Sequence, residues 1–286
     1  MNPEVTAFFH EGTSTWSYVV ADPATARAAV IDPVLDYEHK AGRTGTGSAD
    51  AIIGHVRAAG LTVEWVLETH AHADHLSAAP HILAVLGGKL AIGDGIRTVQ
   101  KTFQEIFHLG NDFASDGSQF DHLFADGETF NVGSIAARVI ATPGHTNDSV
   151  SYLIGDALFV GDSLFMPDLG TARCDFPGGD ARILYASIMR LYTLPETTRM
   201  FVCHDYPPPE RERRHETSVA EQRASNIHVR DGADVEQYAA QRAARDATLE
   251  VPDLLLPAVQ VNIRAGEFPP PEANGVRYLK IPVDAL

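Results

Sequence analysis

The sequence predicts a mixed α/β fold, sheet layers with helices outside, built as a single domain with a C-terminal extension. Short β-branched runs open the chain, and strands then alternate with helical stretches. Neither an internal repeat nor a proper linker interrupts the 286 residues. The expected core runs from about residue 5 to 206 and the extension from about 207 to 286. A hydrophobic content of 44% against 21% charged residues is an ordinary globular balance, which excludes a disordered or fibrous chain.

The elements follow in order. Val5–Phe9, Ser17–Ala21 and Ala28–Ile31 read as strands of a meander. Asp36–Ser48 contains Gly-Arg-Thr-Gly-Thr-Gly-Ser and reads as a flexible polar loop. No Lys-Ser/Thr pair follows it, and its spacing is not that of a dinucleotide cradle. Ala51, Ile52, Val56 and Ala59 recur at helical spacing, with Ser48 or Asp50 as cap and Gly60 as stop. Trp65–Glu68 is a buried strand, Leu76–Leu86 a helix and Lys89–Ile92 another strand. Thr98–Phe107 is helical and Gly110–Asp121 a polar loop. Strands resume at Thr129–Val132, Ile135–Ala141, Val150–Ile154 and Ala157–Val160. Asp180–Leu191 is an amphipathic helix and Arg199–Cys203 a strand. Helices near His215–Arg223 and Asp234–Leu249 follow, and the apolar segments Leu254–Ile263 and Val276–Val283 close the chain.

Acidic residues outnumber basic ones 38 to 22, for a net charge of −16. Such a field repels phosphate backbones and anionic lipid, so neither nucleic acid nor a membrane is the expected partner. Any anion that binds needs its own local cations. Two cysteines, Cys174 and Cys203, make no disulfide framework and fit a reducing compartment. The N-terminus lacks a basic, then apolar, signal pattern, and no run reaches the length of a membrane span. The expectation is a cytoplasmic protein, and a homodimer is left open.

The chemistry concentrates in Thr69-His70-Ala71-His72-Ala73-Asp74-His75, at the exit of a hydrophobic strand. His70 and His72 are two apart and lean the same way from extended backbone. Asp74 and His75 are expected to begin the next helix. Three more ligand-type residues follow predicted strands: His145, Asp162 and His204. Imidazole mixed with carboxylate suits zinc, iron or manganese rather than calcium or magnesium.

This series resembles the metallo-β-lactamase superfamily, all seven of whose metal-ligand positions are filled, and the resemblance implies an αββα sandwich. Leu169–Phe176, His204–Tyr206, Glu216–Asn226 and Asn262–Gly266 resemble the persulfide dioxygenases, also called sulfur dioxygenases. The likeness runs from about Phe8 to Pro282, and the loops at Asp36–Ser48 and Gly110–His122 look more like a longer bacterial branch. It implies one Fe(II) per chain, held by His72, His145 and Asp162 as two histidines and a carboxylate with open positions beside them. His70, Asp74, His75 and His204 then orient ligands and hold water. The implied substrates are glutathione persulfide and O2, and the products glutathione and sulfite. Arg173, Tyr206 and Arg264 are the expected holders of the glutathione moiety, Arg173 having an ion pair with Asp175 or Asp180 as its other role. A glyoxalase II-type thioester hydrolase would use the same seven ligands for two metals and a bridging hydroxide. A non-catalytic metal-binding or sensor module on the same fold is the reading of another class.

Overall fold

The computed structural model describes residues 2–110 and 113–284. The chain opens with β1 (Glu4–His10), β2 (Thr15–Asp22) and β3 (Arg27–Ile31), an antiparallel meander. β4 (Val34–Glu38) and β5 (Arg43–Gly45) form a hairpin, and α1 (Gly47–Ala58) leads to β6 (Thr62–Leu67). After the histidine-rich segment come β7 (Leu76–Ser77), α2 (Ala79–Leu86), β8 (Lys89–Gly93), α3 (Ile96–Ile106) and β9 (His122–Phe124). The first large sheet has the order β1-β2-β3-β6-β8-β9, and β4 joins β5 to β7 in a small third sheet.

The second half supplies β10 (Thr129–Val132), β11 (Ile135–Ala141), β12 (Val150–Ile154), β13 (Ala157–Phe159), α4 (Ala181–Leu191), β14 (Arg199–Phe201) and β15 (Glu216–Ser218), which form a second sheet in chain order around α4. Three helices close the chain: α5 (Val219–Ser225), α6 (Val235–Asp246) and α7 (Leu255–Asn262).

Strand alternation explains the layering. In β2, Tyr18 and Val20 face the second sheet and pack with Tyr152, Phe159 and Phe201, while Val19 and Ala21 face the helices. Ile52, Ile82 and Phe103, one from each of the first three helices, cover the outer face of the first sheet. Leu184 and Ile188 of α4 and Tyr238 of α6 cover the second. The result is helix, sheet, sheet, helix. Residues beyond 206 belong to both halves: β15 edges the second sheet, and Leu255 and Val259 of α7 enter the core under the first.

Several expectations change. Asp36–Ser48 is a hairpin and a helix start rather than a flexible loop, because Asp36 accepts from the Ser48 amide at 3.2 Å and its hydroxyl at 2.5 Å. Ser48 and Asp50 therefore do not cap α1, whose cap position is Thr46; Asp50 accepts from the Thr46 hydroxyl instead. Asp74 and His75 do not begin a helix, since Leu76 and Ser77 pair with β4 before α2 starts at Ala79. His215–Arg223 divides into β15 and the start of α5. Val276–Val283 lies outside helix and strand, and Gly110–Asp121 includes residues 111 and 112, outside the described ones.

Candidate metal centre

All seven ligand-type residues leave the same end of the two inner sheets. His70, His72, Asp74 and His75 follow β6; His145 follows β11, Asp162 follows β13 and His204 follows β14. Asp162 sits in a short 3-10 turn opened by Gly161. At φ +52° a Cβ on Gly161 would lie 2.7 Å from the Thr69 hydroxyl, so only glycine lets the two strand exits approach this closely.

His70, His145 and Asp162 bring one ligand atom each to within 4.8 Å of one another. His72, Asp74 and His75 form a second such group, and Asp162, Cys203 and His204 a third. The trio expected from the resemblance, His72, His145 and Asp162, is not one of these groups; His70 is the imidazole that gathers with His145 and Asp162. The physical reason is a pair of carboxylates. His72 Nε2 lies 3.0 Å from Asp32 Oδ1 and 3.5 Å from Glu68 Oε2, and its ring stands between those of His70 and His75, with centroids 4.0 and 4.1 Å away.

Each imidazole has one nitrogen engaged. His70 Nδ1 lies 3.1 Å from the Thr69 hydroxyl, His75 Nδ1 3.2 Å from Asp74, and His204 Nδ1 3.2 Å from the Ser14 carbonyl. His145 Nδ1 donates to the Arg173 carbonyl at 2.7 Å. The opposite atoms make no hydrogen bond: His70 Nε2, His72 Nδ1, His75 Nε2, His204 Nε2 and Asp162 Oδ1 are all buried, although His204 Nε2 stands 3.3 Å from Asp74 and 3.4 Å from Asp162. Orphaned buried groups on this scale are costly, and they are the donors that a metal ion and the water beside it would satisfy. Burial pushes His70 well below the ordinary imidazole range and His75 down to about 4, helped by the neighbouring His72. Neutral imidazoles are the form that ligates. His72 moves the other way, its burial outweighed by the carboxylates of Asp32 and Glu68.

Four supporting residues have no motif of their own. Asp32, a buried non-glycine at φ +48°, takes Thr69 N at 2.7 Å and the Thr69 hydroxyl at 2.9 Å besides His72. Glu68 accepts from the Ser77 hydroxyl. Asp148 accepts from Ala71 N at 2.8 Å. Asn262, at the end of α7, donates to the carbonyls of His72 and His75, both at 2.8 Å, and accepts from Ser77 N at 2.9 Å. Asp32-Pro33 at a strand end and Asn262 in Asn-Ile-Arg-Ala-Gly were visible signals, but nothing local says what they hold.

A cavity of ≈ 710 Å3 opens beside the centre, lined among others by Asp74, His145, Asp162, Arg173, Phe176 and Tyr206. A smaller one of ≈ 380 Å3 meets it at Asp74, Tyr206 and Pro252. Tyr206 stacks on His204, rings 5.7 Å apart and 11° from parallel. Arg173 is committed: Nε and Nη2 donate to Asp175 at 2.6 and 2.7 Å, and Nη1 to the Glu250 carbonyl at 2.7 Å. Arg264 is not in the cavity; its guanidinium lies 4.6 Å over the Phe113 ring, half-buried. Cys174 and Cys203 are free and buried, Cys203 3.8 Å from Asp32. Among the described residues no helix is long and apolar enough to cross a membrane.

Residues 10–204 match the Metallo-beta-lactamase superfamily, and the chain belongs to it. It is 51% identical to a "Probable metallo-hydrolase" of Burkholderia pseudomallei over 99% of both chains. It is 50% identical to "Glyoxylase B2" of Dictyostelium discoideum over 96% of this chain and 94% of that one. To the human mitochondrial "Persulfide dioxygenase ETHE1" it is 29% identical over 69% of this chain and 66% of that one. Among solved structures, ETHE1 from Myxococcus xanthus superposes with a TM-score of 0.74 at 31% identity, covering 92% of this chain and 100% of that one.

Proposed function

We propose that this protein is an Fe(II)-dependent persulfide dioxygenase, converting glutathione persulfide, O2 and water to glutathione and sulfite with one iron per chain. The observation that carries the reading is the buried trio of His70, His145 and Asp162, two imidazoles and one carboxylate beside a cavity of ≈ 710 Å3. Two imidazoles and one carboxylate are the donor types that non-haem Fe(II) oxygenases use. Iron bound there supplies the redox chemistry that joins O2 to the terminal sulfur. The protein does the rest. His145 is aimed by the Arg173 carbonyl, and His70 by Thr69. Asp74, His75 and His204 lie alongside, with Asp74 Oδ2 3.2 Å from His75 Nδ1 and 3.3 Å from His204 Nε2. Drawn together in this way, they hold the water that releases sulfite rather than a second metal. Tyr206 walls the cavity above His204.

The second reading is a thioester hydrolase with two metals. It is favoured by the nearness of Asp74 to both His75 and His204 and by the likeness to a protein named Glyoxylase B2. Elemental analysis with oxygen-electrode traces on glutathione persulfide separates the two. The expected result is about one iron per chain and O2 consumed one-for-one with persulfide. Two zinc ions per active chain, thioester hydrolysis and no oxygen uptake would establish the hydrolase instead.

A further inference from the structure

The cavity beside the metal centre contains more ion pairs than free charges. Arg173 is closed by Asp175, Arg242 by Asp246 (Nη2 to Oδ1 2.6 Å), and Asp168 by Arg211 (2.7 Å). Asp74 and Asp162 belong to the metal centre. Arg245, in the last turn of α6, also lines the cavity, is exposed, and among the described residues enters no ion pair. His228 lines the same cavity, near enough to Arg245 to feel its charge. Thr171 N donates to His228 Nδ1 at 3.1 Å, which places the ring's proton on Nε2. The approach is built in: at Gly170, φ +84°, a Cβ would stand 2.0 Å from His228 Nδ1. Burial, with Arg242 and Arg245 nearby, pushes this imidazole below its ordinary range, so it remains a neutral donor. Leu169, Phe176, Ile227 and Leu249 add apolar wall to the cavity.

From this juxtaposition we infer that Arg245 and His228 form the anchor for a carboxylate on the organic carrier of the substrate, the group that reaches farthest from the reacting sulfur. An uncommitted guanidinium beside a neutral N–H donor is the chemistry that recognises a carboxylate, and a chain of net charge −16 has no diffuse attraction to substitute for it. The assignment rests on the cavity being the substrate site of the proposed reaction, but it does not depend on whether oxygen is consumed.

Equilibrium binding of S-methylglutathione to the metal-loaded protein tests it, because this ligand can be neither oxidised nor hydrolysed there. Wild type is expected to prefer the diacid to its diethyl ester by roughly 10-fold or more. Arg245→Ala and Arg245→Gln should each reduce that preference to near parity, Arg245→Lys should keep part of it, and Arg173→Ala should leave most of it. Added salt should weaken the diacid and not the ester. A full preference retained in Arg245→Ala, or a wild type that does not distinguish acid from ester or binds neither, overturns the anchor. Absent oxygen uptake with the preference intact would instead overturn the dioxygenase reading and leave the anchor standing.

Discussion

At Asp162 a single carboxylate faces two imidazoles, His145 Nε2 at 3.6 Å and His204 Nε2 at 3.4 Å. It is the only acid in the trio with His70 and His145, so its loss removes the one carboxylate of the proposed iron site. Asp162→Ala should lose iron and oxygen uptake together. Asp74→Ala, whose carboxylate is drawn to His75 and His204, should keep much of its iron; equal metal loss in both would make Asp74 a ligand as well. At this scale the sequence was eloquent about residue types and poor about direction. Four ligand-type residues within six positions announced a metal site. Which imidazole turns toward His145 depends on Asp32 and Glu68, and the carboxylate of Asp32 arrives from forty residues upstream of His72. Likewise Arg173 is spent on Asp175, and only the end of α6 reveals Arg245 as a cation of the cavity without an ion pair among the described residues.

Helix α7 shows how an element distant in sequence acts on the centre. Its Asn262 satisfies two carbonyls and one amide of the histidine-bearing loop. Asn262→Ala leaves all three buried and unpaired, at about 1–3 kcal/mol each if unrelieved. The expected outcome is a melting temperature several degrees lower and a metal affinity reduced roughly 10- to 100-fold, read by calorimetry and by competition with a chelator. Asn262→Asp keeps the volume but not the donors and should not rescue. The turn after β2 provides a second case. Asp22 accepts from Ala24 N and the Thr25 hydroxyl, and across to the other sheet from Ser134 N and its hydroxyl, both at 2.7 Å. The Ser134 amide and hydroxyl hold this carboxyl well below its usual range. A depressed carboxyl stabilises the fold above its unfolded value of about 4 and loses that contribution as pH falls below it. Asp22→Asn should therefore melt lower at neutral pH, and the gap should narrow in acid. A gap independent of pH would show that the charge is not what matters. Helices and strands of ordinary length were legible from period and capping residues. The hairpin at Val34–Gly45 was not, because its register is fixed by Asp36 reaching Ser48.

The whole molecule places its ligands on both sheets: one half gives His70 through His75, the other His145, Asp162 and His204. Metal bound there ties the halves, so stripping it should lower the melting temperature, and readdition should restore it in proportion to free metal. A melting point indifferent to chelation would place the ion outside this interface. The αββα plan was legible from alternation and motif together, whereas the engagement of residues beyond 206 with both layers needed tertiary contacts that no local pattern encodes. Cys174 and Cys203 are both buried, and burial pushes the Cys174 thiol up to about 12. A thiol attacks as its thiolate and needs access. Burial thus holds both cysteines as thiols, the form that does not attack a persulfide. An aromatic disulfide reagent should find no reactive cysteine in the native protein, and its slow consumption should keep time with global unfolding.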